Sequence, residues 1–326
     1  IVAKPLSEFS MEGKFIIDQY IMQGGNVLWL VDPVIADFDS LYSGKGQFMA
    51  IDRELNIMDM LLQYGARINT NIIQDKQCTH INVPVANGEN FIMRPWPFNP
   101  ILNNFNGDHP ISKNVDAIEG KFVSTVDTIA VPGITKTILL TTSGLSRYLV
   151  APARVNFNVV DTKFAPTDEQ YNKPNQPVAV LLEGQFPSAF KSLKPTANRL
   201  HQMGFAYQDG KVIEKGTGSK QIMIGDGDLI KNFVDENGKP DMLGINYIER
   251  YIYGNKDFAM NCIEYLCDQN GLIATRAKEV KLRPLDEQKV GENRIQWQLV
   301  NMIAPLLVLY LFSGIYFFVR NGKYAA

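Results

Sequence analysis

Near the start of the chain, Met11, Phe15, Ile17, Ile21 and Met22 recur at helical spacing, with Glu12, Lys14, Asp18 and Gln19 between them. The spacing predicts an amphipathic helix, and Gly24-Gly25 supplies its stop. Asn26 to Val31 is a nearly continuous apolar run ending at Asp32-Pro33, the pattern of a strand covered on both faces. Leu55, Ile57, Met58, Leu61 and Leu62 predict a second helix stopped at Gly65, with a strand from Asn71 to Gln74 after it. Helix alternating with strand implies an α/β sheet. From Pro84 to Pro177 the chain turns to Pro, Asn, Asp and Thr with short β-type runs such as Lys136 to Leu140, which predicts loops and hairpins inserted in or attached to the sheet. Pro166 to Pro177 reads as a surface linker. Apolar strands return at Val178 to Leu182 and Gln221 to Ile224, and Phe258, Ala259, Cys262, Ile263 and Leu266 predict a further amphipathic helix ending before Gly271. Ile273 to Leu285 has mixed β character. The organisation expected is a first α/β lobe with a β-rich insertion over 1–175, a second lobe over 176–290, and a membrane helix over 297–320.

That last element carries the strongest local signal. Leu299 to Val319 holds no charged residue and is long enough, at about 1.5 Å per residue, to cross a hydrocarbon core of about 30 Å. Trp297 stands at one edge, with Tyr316, Phe317, Phe318, Arg320 and Lys323 at the other, as interfacial positions require. A soluble helix of this length would show a polar face. Asn301, Ala304, Ser313 and Gly314 are the positions where a hydrogen bond or a small side chain favours the approach of another helix. Basic residues flank both ends, so charge alone leaves the orientation open.

At 326 residues the chain can bury a sizeable core, and a formal charge of −2 argues against nucleic acid as the main partner. The three cysteines, Cys78, Cys262 and Cys267, form no disulfide framework, and Cys262 falls on an apolar stripe. Ile1 to Pro5 reads like the end of a buried strand, so the sequence is expected to continue upstream.

Chemical motifs are sparse. Gly216-Thr217-Gly218-Ser219-Lys220 lacks the spacing of a phosphate-binding loop and reads as a turn. No G-x-[SC]-x-G elbow occurs, and Thr141 to Ser146 reads as a cap or turn. His80, His109 and His201 fall in no metal-ligand spacing. Asp32 after one strand, with Asp226 and Asp228 after another, places carboxylates at strand C-terminal ends, where open α/β sheets bind ligands. Two readings stand side by side: Mg²⁺ held with phosphate or water, or Asp228 capping a helix that begins at Leu229, Gly227 supplying the turn. The capping reading is the simpler.

Ala3-Lys4-Pro5 with Phe15 to Tyr20, Gly24-Gly25 through Leu28 to Pro33, Ile222 to Asp228, Tyr253 to Phe258 and the closing span with Lys323-Tyr324-Ala325 occur in an order that resembles the GldG family. These are auxiliary membrane components of the gliding-motility ABC transporter system of Bacteroidetes, and the similarity runs over nearly the whole chain. The resemblance implies a glutamine-amidotransferase-like (flavodoxin-like) sheet domain that lacks the amidotransferase's Cys-His machinery, with no cofactor. It also implies a periplasmic domain flanked by two inner-membrane helices, of which the second is present here, a short cytoplasmic tail, and a permease and a separate ATPase as partners. The expected function is a non-catalytic transporter subunit; the alternative is a membrane-tethered hydrolase or ligand sensor using the strand-end carboxylates.

Overall fold

In the computed structural model of the chain, residues 1–44, 46–85, 90–161, 163–191, 212–234, 237–268, 271, 273 and 287–324 are described. Ile1–Ala277 form one compact unit and Lys278–Ala326 a second.

The helical spacing at the start produces α1 (Met11–Met22). Ser10, in extended backbone, accepts a hydrogen bond from the Gly13 N–H at 3.1 Å, and Gly24 (φ 92°) turns the chain out of the last turn. The buried face is the apolar one expected, but it also takes in polar residues. Phe15, Ile21 and Met22 are buried, but so are Lys14, Asp18 and Gln19, while Met11 is exposed. These polar groups are tolerated because each finds a partner: Lys14 Nζ reaches Asp59 at 2.9 Å, and Asp18 is the acceptor for several donors described below.

The main sheet has the order β1 (Val2–Ala3), β2 (Val27–Leu30), β16 (Ser219–Ile224), β15 (Pro177–Gly184), β12 (Ile134–Thr141) and β9 (Asn104–Phe105). The first three strands are parallel to one another and the rest join antiparallel. Strands from both expected lobes, 1–175 and 176–290, therefore lie in one sheet. The run at Lys136 to Leu140, expected in an insertion, belongs to β12 because its partner is β15, which is distant in sequence.

Covering on both faces explains the continuous apolar runs. Val27, Trp29, Val180, Leu182 and Met223 point into one core with α1 and α3 (Met58–Tyr64), which Gly65 (φ 113°) ends. Leu28, Leu30, Ala179, Leu181, Ile222 and Ile224 point into a second, with Phe258, Ala259, Cys262 and Leu266 of α4 (Asn255–Cys267). The architecture is mixed α/β.

A third, aromatic-rich core of Trp96, Phe98 and Phe122 lies among smaller sheets. These are β14 (Ala153–Asn156), β4 (Gln47–Asp52) and β3 (Val34–Ile35), adjoining α2 (Phe38–Ser43); β10 (Ile118–Glu119), β8 (Phe91–Leu102) and β7 (Cys78–Pro84); and the pairs β11 (Val126–Thr128) with β5 (Ala66–Ile68), β13 (Ser146–Val150) with β6 (Asn71–Asp75), and β17 (Ile245–Asn246) with β18 (Tyr251–Ile252). Thr141 to Ser146 forms the turn between β12 and β13, as expected. The expectation for Ile273 to Leu285 falls, apart from buried Ile273, outside the described residues, as does His201.

The second unit holds α5 (Glu287–Tyr324), with Gln296–Tyr324 apolar and long enough to cross a membrane. Pro305 lies inside it, and the side chains of 296–324 are exposed.

Candidate functional site

The C-terminal ends of the three parallel strands meet at one place. Lys4 follows β1, Asp32 follows β2, and Asp226 and Asp228 follow β16. Lys4 Nζ lies 3.1 Å from Asp32 Oδ2 and 2.5 Å from Asp228 Oδ2, bridging the two carboxylates. Lys231 adds a longer contact to Asp228 Oδ1 at 3.7 Å. Asp226 is 1% exposed, accepting the Lys121 N–H at 3.0 Å and the Asp228 N–H at 2.8 Å. Asp32 accepts the Gly227 N–H at 2.5 Å.

Of the glycines that alternate with the aspartates, Gly225 is sterically required and Gly227 keeps room for the Asp32 carboxylate. A Cβ on Gly225 would sit 2.1 Å from the Ser124 carbonyl oxygen, and one on Gly227 would meet the Asp32 carboxylate at 2.9 Å. Lys4 itself has φ 44°, a left-handed conformation that costs a non-glycine residue about 1 kcal/mol, and its N–H donates to the Leu30 carbonyl at 2.8 Å.

Charge and burial compete in this cluster. Burial pushes the Asp32 carboxyl above its ordinary value against the opposing charge of Lys4. Asp226 is raised well above it by burial, with the Asp32 and Asp228 charges acting in the same direction. Burial lowers Lys4, but Asp32 and Asp228 outweigh it, so the ammonium is held above the ordinary lysine value. The sequence brought the three aspartates to strand ends correctly and missed the lysine. It also assigned Asp228 a helix to cap; residues 229 and 230 form a turn instead, and the carboxylate is committed to Lys4. Among the described residues no group of three or more His, Cys, Asp and Glu is arranged to hold a metal ion.

Asp18 forms a second buried centre. Its carboxylate is fully buried and accepts from the Tyr64 hydroxyl at 2.7 Å, the Ser188 hydroxyl at 2.7 Å, the Ala189 N–H at 2.8 Å and the Gln19 amide at 2.9 Å. Burial, reinforced by Asp18, pushes the Tyr64 phenol far up, so Tyr64 serves as a donor. This arrangement ties α1 and α3 to the segment after β15.

A cavity of 260 Å³ adjoins the strand-end cluster through Lys121, whose N–H donates to Asp226 and whose side chain lines the cavity. Phe38, Tyr42, Phe233 and Tyr247 contribute aromatic walls, and Asn99 and Glu119 are buried polar lining groups. Asn246 donates to Glu119 at 2.6 Å, and His80 Nδ1 lies 2.7 Å from Glu249. Burial raises Glu119 against the charge of Lys121. Burial also raises Glu249, but hydrogen bonds from Tyr253 and His80 prevail and hold it below its ordinary value. No sequence motif marks this constellation, because its members come from α2, from β7, β8, β10 and β17, and from turns that are far apart along the chain.

On α5, successive side chains turn by about 100°, so Asn301 and Ala304 lie close to one face while Ser313 falls opposite Ala304 and Gly314 to one side. The four do not share one stripe. Of the cysteines, Cys78 and Cys262 are buried; burial pushes the Cys78 thiol up to about 12 and the Cys262 thiol higher still. Both are therefore poor nucleophiles.

Fold and cluster together define a mixed α/β domain whose strand-end carboxylates carry their own counter-ion, on a chain whose α5 is long and apolar enough to cross a membrane. The chain belongs to the family described as "ABC-type uncharacterized transport system" (ABC_transp_aux), which matches residues 1–262 and consists of auxiliary components of such systems. No curated protein matches. Among solved structures, one titled "mmIFT52 N-terminal domain" is similar at 12% identity and a TM-score of 0.39, over 82% of this chain and 76% of that one.

Proposed function

We propose that the chain is a non-catalytic auxiliary subunit of an ABC transporter associated with gliding motility, built on a glutamine-amidotransferase-like fold. The α/β domain is read as periplasmic, the tail after α5 as cytoplasmic, and a permease and a separate ATPase as the partners. Membership of the auxiliary family over residues 1–262 is the observation that carries this reading. The inert thiols and the Lys4 ammonium, which stands where a bound cation would neutralise Asp32 and Asp228, support a site that holds structure. Four of the stretches that resemble GldG also meet in space. Lys4, Asp32 and Asp226 to Asp228 form the ion cluster, and Asn255 bonds the Leu229 carbonyl at 3.2 Å beside it.

The test is affinity purification of the full chain from native membranes in mild detergent. A multi-span permease and an ATPase are expected to co-purify, and replacing Ala304 or Gly314 by Phe is expected to weaken their recovery while the chain stays in the membrane pellet after alkaline carbonate. Recovery without either partner, in cells whose gliding is unchanged by deletion, would refute the assignment. The anchor itself is tested by truncation before Trp297, which should move the protein from the carbonate-resistant pellet to the supernatant; equal extraction of both forms would remove α5 as a membrane span.

A further inference from the structure

A cavity of 350 Å³ is lined by residues of β5, β11 and β13, the first residue of α3 and the turn from β5 into β6. Two of its charged groups are open to solvent. The Arg67 and Asp127 side chains are 53% and 54% exposed and stand opposite each other across the β5–β11 pairing, Nη2 at 3.4 Å from Oδ2. An exposed pair at that separation adds little to stability, so it does not account for the way Arg67 is held. The hold comes from the interior. Asn71 is 3% exposed, donates to Thr125 Oγ1 at 2.8 Å and accepts the Thr125 N–H at 3.0 Å. Asn69 donates to the same Oγ1 at 2.9 Å, and its own carbonyl oxygen accepts the Arg67 Nε–H at 2.9 Å. A chain of amides rooted in the core thus fixes the guanidinium, while Arg67 Nη1 and Asp127 Oδ1 have no partner among the described residues. Donors held in place before a ligand arrives are what binding sites use.

We propose that this cavity is a binding site for an uncharged polyhydroxylated molecule of the saccharide class, a vicinal diol being received by Arg67 and Asp127. The ligand class follows from the pair. A hydroxyl both donates and accepts, so one of two adjacent hydroxyls donates to the Asp127 carboxylate while the other accepts from the Arg67 guanidinium. An anion meets the charge of Asp127, a cation meets that of Arg67, and a purely apolar molecule would strip water from both groups and return no hydrogen bond. Met58, Tyr148 and Val150, which line the same cavity, give the C–H face of a sugar ring a surface to lie against. The site belongs to the α/β unit and does not depend on the partners proposed above.

The site is tested on the full chain in lipid nanodiscs free of glycoside detergent, by saturation-transfer NMR with the methyl glycosides of glucose, galactose and mannose up to about 50 mM, a range that covers a ligand held by a few hydrogen bonds. These three present their vicinal diols in different relative orientations, and saturable binding of at least one is expected. Tetrahydropyran, the same ring without hydroxyls, should show none, and glucuronate and glucosammonium should bind about tenfold more weakly than the best glycoside. Arg67→Met and Asp127→Leu should each weaken glycoside binding at least about tenfold. Both side chains are half exposed, so the unfolding temperature of each variant should stay close to that of the parent chain; if one does not fold, the other decides. Saturable binding of none of the three glycosides overturns the proposal. Binding unchanged in either folded variant also overturns it by placing the sugar elsewhere, and equal or tighter binding of tetrahydropyran or of either charged sugar overturns the ligand class.

Discussion

Lys4→Met is expected to lower the unfolding free energy of the α/β domain by about 3 kcal/mol near neutral pH, the scale of breaking a buried ion pair from one side. Lys4 lies 3.1 Å from Asp32 and 2.5 Å from Asp228, and without it Asp32, Asp226 and Asp228 share a poorly hydrated site. The effect depends on pH in a definite sense. Asp32 and Asp226 have raised folded values, so their contribution is complete below the unfolded carboxyl value of about 3.9 and declines as pH rises through the folded values. Lys4 is also raised; its contribution is complete below about 10.4 and is lost only as pH rises through its own folded value. Removing the lysine therefore costs most near neutrality, where the carboxylates need a counter-ion, and least in acid. Denaturant unfolding of the detergent-solubilised chain at about pH 4 and about pH 7 measures the difference. The same loss at both would mean that Lys4 acts through packing of its methylenes and not through its charge.

Asp18→Ala is expected to cost about 3 kcal/mol or more, because the Tyr64 hydroxyl, the Ser188 hydroxyl and the Ala189 N–H lose one acceptor together in the interior. Tyr64→Phe removes a single donor and should cost only about 1 kcal/mol. In the double variant the two losses should fall short of additivity, since the Tyr64 donor is stranded only when Asp18 alone is removed. Unfolding midpoints and slopes for the three variants give the coupling. Strict additivity would show that the phenol and carboxylate do not act on each other.

These two buried clusters, around Lys4 and around Asp18, mark the boundary of what the amino-acid pattern revealed. The α1 helix and the β2 strand were legible because their apolar spacing matches one helical face and one doubly covered strand. The polar members of the buried side of α1 were not, since Asp18 and Gln19 look like solvent positions until Tyr64, Ser188 and Ile213 are brought to them. β8 was concealed by Pro95, Pro97 and Pro100, which locally argue against a strand. It survives by pairing with β7 across a register shift between Cys78 and His80. At the strand-end cluster, position relative to the sheet was readable for Asp32, Asp226 and Asp228. The partner was not: nothing near Lys4 in sequence announces that two aspartates will close on it, and the capping role given to Asp228 rested on a helix that does not form.

The strand-end cluster also sets a clock on biosynthesis. Asp32 and the Gly227 N–H that binds it are 195 residues apart. At about 5–20 residues per second, a ribosome needs roughly 10–40 s to travel from one to the other. Throughout that interval the nascent chain holds β1 and β2 without β16, the strand that lies against β2 and delivers Asp226 and Asp228. Lys4 and Asp32 are then available to each other but not yet enclosed, and the hydrogen-bonding edge of β2 on that side has no partner strand. A pulse-labelled chain should therefore acquire protease resistance in its first segment only after residue 228 has emerged, which makes the early strands clients for whatever factor shields apolar chain during synthesis.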